Sequence, residues 1–227
     1  MKCLLCQHAC QLFNQNPFGH FWSCPHCRAI CRNPKEFLSQ QAERHRYLLH
    51  QNALDNPGYQ QYFVSIIDQA ISPFFSLGRD SLGLDYGSGP QPVLAQVMDK
   101  YYQQKVVNFD PYFATDTSLL KDQAYQLISC IEVAEHFHLP ASEFRQLHRL
   151  LSPKGILCLC THFAPQERKD FEQWWYMHDS SHVIFYALPT FTYIAKQFGF
   201  KILATDSKSW ITLKKIAYSS LMVAWIL

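Results

Sequence analysis

Short apolar runs alternate with segments of helical periodicity through the last two thirds of the chain. An apolar run of five or six residues between turn signals predicts a strand, whereas apolar positions three and four apart predict a helix. Strands that alternate with helices predict an α/β fold with a mostly parallel sheet, and a terminal hairpin adds one antiparallel edge strand. The predicted elements are strand Leu82–Tyr86, helix Pro92–Tyr102, strand Lys105–Phe109, strand Tyr125–Cys130, helix Ala141–Leu151, strand Ile156–Thr161, helix Thr190–Phe198 and the hairpin strands Lys201–Thr205 and Trp210–Lys214.

Two helices are predicted ahead of this alternation. Asn33 before Pro34 is typical of a helix start, and the first helix runs to about His50. A break at Asn56-Pro57-Gly58 separates it from a second helix, Tyr59 to about Ile71, whose apolar stripe we assign to the core. The pattern therefore divides the chain into an amino-terminal segment (1–33), a helical lead-in (34–78), an α/β domain (79–215) and an apolar tail (216–227).

Cysteines are concentrated at the amino terminus, where six of the nine fall within the first 31 residues. Two C-x2-C pairs separated by 17 residues are typical of a four-cysteine zinc site. A segment this short has no core of its own, so metal binding would supply its folding energy. The spacing predicts a zinc ribbon, with disulfides as an alternative that a cytoplasmic location disfavours. The predicted ligands are Cys3, Cys6, Cys24 and Cys27.

Two further cysteines leave another interpretation open. Cys10 and Cys31 each follow a pair by four positions, so C-x2-C-x3-C occurs twice and an iron–sulfur cluster is conceivable. Histidines 8, 20 and 26 are alternative ligands. We interpret Cys31 as a small apolar strand residue and Cys10 as an ordinary thiol.

Composition and charge narrow the choice of partners. The chain has 227 residues, 48% of them hydrophobic, and a formal net charge of only +2. Within residues 1–31 only Lys2 and Arg28 are basic, which disfavours nucleic acid as a partner. No apolar run is long enough to span a membrane, and no signal peptide follows Met1, so we expect a cytoplasmic protein.

A glycine turn after the first α/β strand is the main candidate for a cofactor site. The segment Asp85-Tyr86-Gly87-Ser88-Gly89 lets the backbone turn tightly after the strand, and Pro92 suits a first helical position. Asp110 ends the next strand, at the interval where an acidic side chain meets ribose hydroxyls. The third glycine of a nicotinamide or flavin fingerprint is missing, because Pro92 stands there.

The chain resembles bacterial class I S-adenosylmethionine (SAM) methyltransferases that carry an amino-terminal C-x2-C…C-x2-C ribbon. The matching segments are Cys24-Pro25-x-Cys27, Arg46-Tyr47-x-x-His50-x-Asn52, Asp85-Tyr86-Gly87-Ser88-Gly89-Pro90, Glu132-Val133-Ala134-Glu135-His136-Phe137 and Asp179-x-x-His182-Val183-x-Phe185. The resemblance implies a Rossmann-like sheet of seven strands. It also implies cofactor-binding residues: Asp85, Gly87 and Gly89 beside the methionine half, Asp110 at the ribose, and Ile131, Glu132 and Val133 along the pocket floor.

Two positions depart from the family's pattern. Gln91 stands where many relatives have the third glycine of the motif, and a larger side chain there could crowd the cofactor. Gln126 stands where relatives usually carry an aspartate. Because of these departures, the alternative that the chain is an inactive homologue of the family stays open.

The catalytic candidates lie in two later segments. His136 is the first candidate for a base, since its ordinary pKa suits proton removal near neutrality, although it could instead fix a loop. Asp179 and His182 follow an aromatic run containing Trp175, at the position of a substrate loop in this fold. Their alternative is a structural lid. We interpret Glu135 as solvated.

Two hypotheses about function follow. The first is a methyltransferase that acts on a small-molecule acceptor, with SAM and zinc as its cofactors. The second is a zinc-ribbon module that binds RNA or protein, on a degenerate or RNA-modifying methyltransferase fold. The near-neutral charge favours the first.

Overall fold

The computed structural model describes residues 1–49 and 56–216. Its α-helices and strands, in chain order, are β1 Gln11–Asn16, β2 Gly19–Ser23, β3 Ile30–Arg32, α1 Gln40–Leu48, α2 Pro57–Ile66, β4 Leu82–Tyr86, α3 Val93–Tyr102, β5 Lys105–Phe109, β6 Tyr125–Ile131, α4 Pro140–Leu150, β7 Leu151–Cys160, α5 Arg168–Glu172, β8 Ile184–Phe185, α6 Leu188–Phe198, β9 Phe200–Thr205 and β10 Trp210–Lys215.

The larger sheet has the strand order β5-β4-β6-β7-β10-β9. Strands β5, β4, β6 and β7 pair in parallel, and β10 runs antiparallel to both β7 and β9. The predicted α/β class and the terminal hairpin are confirmed. The strand count is corrected from seven to six, because the segment between Asp110 and Tyr125 forms only a short 3-10 turn, Thr117–Leu119. The antiparallel strand β10 lies one position in from the edge, which β9 occupies.

Both faces of this sheet are covered by helices, so its central strands are buried on both sides. Helices α2 and α3 pack with one face, where Ile67, Val97 and Cys158 are fully buried. Helices α4 and α6 pack with the other, where Phe144 and Phe191 are fully buried. The apolar stripe of the second lead-in helix therefore belongs to the core, as predicted.

The first lead-in helix is interrupted where the sequence predicted continuity. Asn33 caps a single 3-10 turn, Pro34–Glu36, and the backbone is extended again at Phe37. Helix α1 begins only after Ser39, whose hydroxyl accepts a hydrogen bond from the Ala42 amide at 3.3 Å. The predicted end at His50 lies outside the described residues, as does the tail over 217–227. No described helix is long and apolar enough to cross a membrane.

The amino-terminal segment forms a second sheet with the order β1-β2-β3-β8. Its fourth strand, Ile184–Phe185, comes from the α/β part of the chain and pairs with β3. Phe21 and Ile30 of the ribbon are buried with Phe171 and Phe185. The predicted ribbon strands are therefore present, and they share a sheet and a core with the segment that was expected to bear substrate contacts.

Candidate active site

A cavity of about 940 Å³ opens at the carboxyl ends of β4, β5 and β6. Ligands of open α/β sheets bind at this edge, and the volume is at the upper end of the usual range for small-molecule sites. The cavity is lined by all of the predicted cofactor residues and all of the predicted catalytic ones: Asp85, Gly87, Gly89, Asp110, Ile131, Glu132, Val133, His136, Asp179 and His182.

The turn after β4 has the glycine geometry expected from the sequence. Gly87 and Gly89 have φ values of 87° and 66°, in the left-handed region that favours glycine. A Cβ atom on Gly87 would come within 2.5 Å of Val133, whereas one on Gly89 would meet nothing within 4 Å. Gly87 is therefore needed for packing, and Gly89 leaves open space. Pro92 occupies the N-cap position, one residue before the predicted one.

Asp110 lies against this turn and accepts three backbone hydrogen bonds. Its Oδ2 accepts from the Gly89 amide at 2.9 Å, and its Oδ1 accepts from the amides of Tyr112 and Phe113 at 2.8 and 3.1 Å. The carboxylate thus holds the glycine turn against the end of β5. Since a carboxylate offers about four acceptor positions, Oδ2 keeps capacity for a further donor.

Asp85 is buried at the end of β4. Burial raises the pKa of Asp85 to about 7, although the Ser129 hydroxyl, which donates to Oδ1 at 3.0 Å, opposes the shift. Nearby Asp110 adds to the rise. A cation in the cavity would favour ionisation of Asp85.

The two glutamines that depart from the family's pattern have different environments. Gln91 is exposed at the cavity edge. Gln126 accepts a hydrogen bond from the Leu82 amide at 2.8 Å through its Oε1, so it ties the start of β4 to β6.

The acceptor end of the cavity begins just past β6. Glu132 has a φ of 55° and accepts a hydrogen bond from the Tyr176 hydroxyl at 2.8 Å. Glu135 is fully buried, so its interpretation as a solvated residue is wrong. Burial raises the pKa of each of these two carboxyl groups to about 7.

The two candidate histidines lie together, with ring centroids 4.8 Å apart. The Nδ1 of His136 is 3.0 Å from the Ser181 carbonyl oxygen, and the Nδ1 of His182 is 2.8 Å from the Tyr176 carbonyl oxygen. Because a carbonyl oxygen only accepts, each Nδ1 carries the proton and each Nε2 keeps its lone pair. Burial lowers the pKa of His136, and it lowers that of His182 to about 3.

Asp179 is committed to an ion pair. The Arg46 Nε and Nη2 atoms donate to its two oxygens at 2.6 Å each, and the Ser181 amide and hydroxyl donate to Oδ1 at 2.9 and 2.5 Å. Burial alone would raise the pKa of Asp179, but these donors hold it well below its usual range. The carboxylate therefore keeps its charge.

Arg32 connects the ribbon to the same loop. This residue is only 2% exposed, and its guanidinium donates to the carbonyl oxygens of Phe18, Met177, Asp179 and His182. The Asp179–His182 loop is thus held from the ribbon side by Arg32 and from the lead-in helix by Arg46.

The aromatic run before this loop divides in two. Trp175 and Tyr176 line the cavity, and Trp175 is 60% exposed. Trp174 packs on Phe185 instead, and His178 stacks on Phe18.

Sequence reasoning missed several cavity residues, most of them from the lead-in helices. Glu43 is 4% exposed and accepts hydrogen bonds from the hydroxyls of Tyr47 and Tyr112 at 2.8 and 2.9 Å. Tyr62 and His162 also line the cavity. The segment Arg46-Tyr47, part of the resemblance, was the one available signal for the lead-in contribution.

The four predicted cysteine ligands converge. All four Sγ atoms lie within 4.8 Å of one another, with Cys3–Cys27 at 3.5 Å and Cys6–Cys24 at 3.4 Å. Ligand sulfurs at ~2.3 Å from a tetrahedral zinc are about 3.8 Å apart. Both C-x2-C turns are closed by the same backbone hydrogen bond: the Gln7 amide donates to the Cys3 carbonyl, and the Arg28 amide donates to the Cys24 carbonyl.

Cys10 and Cys31 lie beside Cys3, whereas the nearby histidines have other partners. Cys31 is fully buried in β3, as interpreted, and Cys10 is also buried. His20 pairs with Glu36, while His8 stacks on His26. None of the nine cysteines, all of which lie within the described residues, forms a disulfide.

Comparison with known proteins identifies the family. A family described as a methyltransferase domain matches residues 59–205, and the chain belongs to this family. The chain is an S-adenosylmethionine-dependent methyltransferase with a Rossmann-like α/β fold. It has no significant match among curated protein sequences.

Two solved structures illustrate the likeness. A proposed SAM-dependent methyltransferase of Methanococcus maripaludis is 15% identical, with a TM-score of 0.52 over 79% of this chain and 94% of that one. The Burkholderia thailandensis 1,6-didemethyltoxoflavin-N1-methyltransferase, solved with bound 1,6-didemethyltoxoflavin and S-adenosylhomocysteine, is 10% identical, with a TM-score of 0.47 over 86% of this chain and 98% of that one.

Proposed function

We propose that the protein transfers a methyl group from SAM to a small-molecule acceptor bound in the same cavity. The observation that carries the proposal is that the glycine turn after β4 and the histidine pair, two groups of different chemistry, open on one cavity of about 940 Å³. The cofactor occupies the turn side and the acceptor occupies the histidine side.

The residues around the glycine turn suit the cofactor. Gly89 faces open space, and Oδ2 of Asp110 can accept a ribose hydroxyl in addition to the Gly89 amide. The Ser88 hydroxyl is buried without a partner among the described residues, which a polar ligand would provide. Bound SAM supplies a methyl group on a sulfonium, a good leaving group, so the protein mainly has to align the acceptor.

The enclosure of the acceptor side supports a small molecule. Helix α1 contributes Glu43 and Tyr47 to the cavity wall, and Arg46 of this helix bonds Asp179 on the opposite loop. A charge of only +2 offers little attraction for a polyanion.

The roles of the three catalytic candidates differ. His136 and His182 direct unprotonated Nε2 lone pairs that can engage the acceptor. Asp179 is a positioning residue, because its ion pair with Arg46 makes it a poor proton acceptor and fixes the loop that carries His182.

We also assign zinc to Cys3, Cys6, Cys24 and Cys27. The four sulfurs and the two equivalent turns fit a tetrahedral structural site, which closes around the ion.

Calorimetric titration with S-adenosylhomocysteine tests the cofactor half of the proposal. We expect one binding site per chain. In a separate activity screen, the enzyme is supplied with SAM and a panel of small hydroxyl- and amine-bearing compounds. We expect at least one compound to cause S-adenosylhomocysteine to accumulate. No binding at millimolar ligand would favour the alternative of a degenerate fold that serves as a recognition module.

A further inference from the structure

Three side chains converge at the acceptor end of the cavity. Glu135, His136 and His182 each offer a ligand atom, and these atoms all lie within 4.8 Å of one another. We propose that they bind a divalent transition-metal ion such as Mn²⁺, Fe²⁺ or Co²⁺, separately from the cysteine site. A consequence, which rests on the proposed function, is that the ion engages a hydroxyl group of the acceptor.

The carboxylate of Glu135 is the first observation behind this assignment. The residue is 0% exposed, and neither oxygen has a hydrogen-bond partner among the described residues. The Tyr176 hydroxyl donates to Glu132, and although it and the Thr161 hydroxyl lie near Glu135, neither makes a hydrogen bond of ordinary geometry to that carboxylate. A buried carboxylate without donors is costly unless it is neutralised, and a cation between it and the histidines would do so.

The histidines are an independent second observation. Each donates its Nδ1 proton to a backbone carbonyl, and a ligating histidine almost always makes such a bond through its other nitrogen. The free Nε2 of His136 is 3.7 Å from Oε1 of Glu135. That distance is too long for a hydrogen bond, so the carboxylate and the imidazole do not satisfy each other.

The two segments that carry these ligands are joined rigidly. The Val183 amide donates to the Glu135 carbonyl at 2.9 Å, and the buried Tyr186 hydroxyl donates to the Ala134 carbonyl at 2.9 Å. The His136–Ser181 bond adds a third connection. The site is therefore held by hydrogen bonds that do not depend on an ion.

The spacing needs only a small adjustment. Ligand atoms at ~2.1 Å from an ion are about 3 Å apart in octahedral geometry, so separations of up to 4.8 Å must shorten by side-chain rotation. Two histidines and one carboxylate on one side of an ion leave its other positions open, as in metal sites that bind a substrate. All three residues line the cavity, so an ion held among them would face the space available to an acceptor.

An ion here would select the acceptor atom. A divalent cation lowers the pKa of a bound hydroxyl, and an oxygen nucleophile needs this help far more than a neutral amine does. The hydroxyl would release its proton to solvent, and its oxygen would form the new bond to the methyl carbon as the carbon–sulfur bond breaks. The acceptor class that fits is therefore a phenol, enol or vicinal diol.

The test uses the full chain with its cysteine site loaded with zinc. After mild chelation, with zinc retention checked by elemental analysis, the protein is titrated with Mn²⁺, which disfavours thiolates. Free Mn²⁺ is counted by electron paramagnetic resonance. We expect about one Mn²⁺ per chain, and at least about tenfold weaker binding in Glu135→Gln and in His182→Ala. Co²⁺ is titrated in the same way.

Controls keep the outcome interpretable. His138→Ala removes another cavity histidine outside the cluster and should bind the ion as the wild type does. Thermal unfolding provides a second readout, since Mn²⁺ should raise the Tm of the wild type but not that of His182→Ala. Absence of Mn²⁺ and Co²⁺ uptake beyond the cysteine site, or undiminished binding in both variants, would overturn the proposal. S-adenosylhomocysteine binding, measured in parallel, reports on the proposed function separately.

Discussion

The two sides of the cavity are built in different ways. On the cofactor side, the residues that hold the turn are near one another in sequence: Gly89 and Asp110 are 21 positions apart. On the acceptor side, Arg46 and Asp179 are 133 positions apart, and Arg32 reaches across 150 positions to the His182 carbonyl. The cofactor side therefore depends mainly on one strand–helix–strand unit, against which Val133 packs from the end of the next strand. The acceptor side depends on the assembly of ribbon, lead-in helix and loop.

This difference separates cofactor binding from acceptor chemistry. Changes in the ribbon or in α1 should alter the loop that carries Asp179 and His182 while leaving the glycine turn intact. The ribbon is thus part of the acceptor side, since its strand β3 pairs with β8 directly after that loop.

The largest expected effect is on the ribbon. Cys27→Ser should lose the single zinc, because a structural zinc site contributes on the order of 10 kcal/mol to folding and the remaining three thiolates do not close it. The Tm of the variant should be lower than that of the wild type. The protein that remains folded should bind S-adenosylhomocysteine with an affinity within about threefold of the wild type, because a loosened acceptor side leaves the glycine turn intact. Elemental analysis and calorimetry measure both.

A matched control for the zinc prediction is Cys10→Ser, which changes a neighbouring thiol outside the predicted ligand set and should retain zinc. Iron in place of zinc at the cysteines, or zinc retained after Cys24→Ser and Cys27→Ser together, would contradict the assignment.

The next effect is confined to turnover. His136→Ala should lower turnover by about 10²- to 10⁴-fold, the range for a group that acts directly on a proton or a nucleophile. Affinity for S-adenosylhomocysteine should change by less than about threefold. The rate is measured as production of S-adenosylhomocysteine with an acceptor from the panel. If His136→Ala keeps the full turnover per folded molecule, His136 only stabilises the loop.

On the cofactor side, Asp110→Ala should weaken binding of S-adenosylhomocysteine by about ten- to hundredfold. Charge-assisted hydrogen bonds to the ribose would be lost, each worth roughly 1.5–3 kcal/mol, and the Gly89 amide would lose its acceptor. Asp116→Ala changes an exposed carboxylate that caps a turn on the same segment and should have no effect on binding. Equal affinities in both variants would remove Asp110 from the cofactor site.

A pH dependence should follow from Asp85. With its pKa near 7 in the free protein, Asp85 must lose a proton to pair with the ammonium of the cofactor's methionine half. Affinity should therefore rise with pH, by about tenfold between pH 6 and pH 8 if only the ionised form binds. Calorimetry in buffers of different ionisation enthalpy should detect the released proton. Asp85→Asn should flatten the dependence of affinity on pH. A wild-type affinity that does not change with pH would mean that another group pairs with the ammonium of the cofactor.

The smallest effect is expected at Gln91. Gln91→Gly should leave binding of S-adenosylhomocysteine equal or slightly tighter, because the exposed side chain stands at the cavity edge and glycine restores the family's turn. A clear loss of affinity would mean that the glutamine itself contacts the cofactor.

Much of the fold was predictable from local signals. Strands Leu82–Tyr86 and Lys105–Phe109 have the bounds that their apolar runs indicated, and α6 ends at the αL residue Gly199. The interruption after Glu36 was missed because the choice between one long helix and two short ones depends on how Phe37 packs. Phe37 contacts His138, a residue 101 positions later in the chain.

The acceptor side was predictable only in part. A resemblance supplied the segments around His136 and His182, but nothing in either segment indicated that Glu135 would be buried without a partner. Burial is a property of the folded assembly, because it depends on which distant side chains cover a position. The contribution of Glu43 was missed for the same reason.

The sequence by itself determined the strand–turn–helix unit and the cysteine spacing, because backbone conformation and ligand spacing are set by residues close together in the chain. The tertiary structure decided the six-stranded sheet, the sharing of β8 between ribbon and loop, and the meeting of Glu135, His136 and His182. These features require segments far apart in sequence to pack together, and such packing is governed by shape and burial that no local pattern encodes.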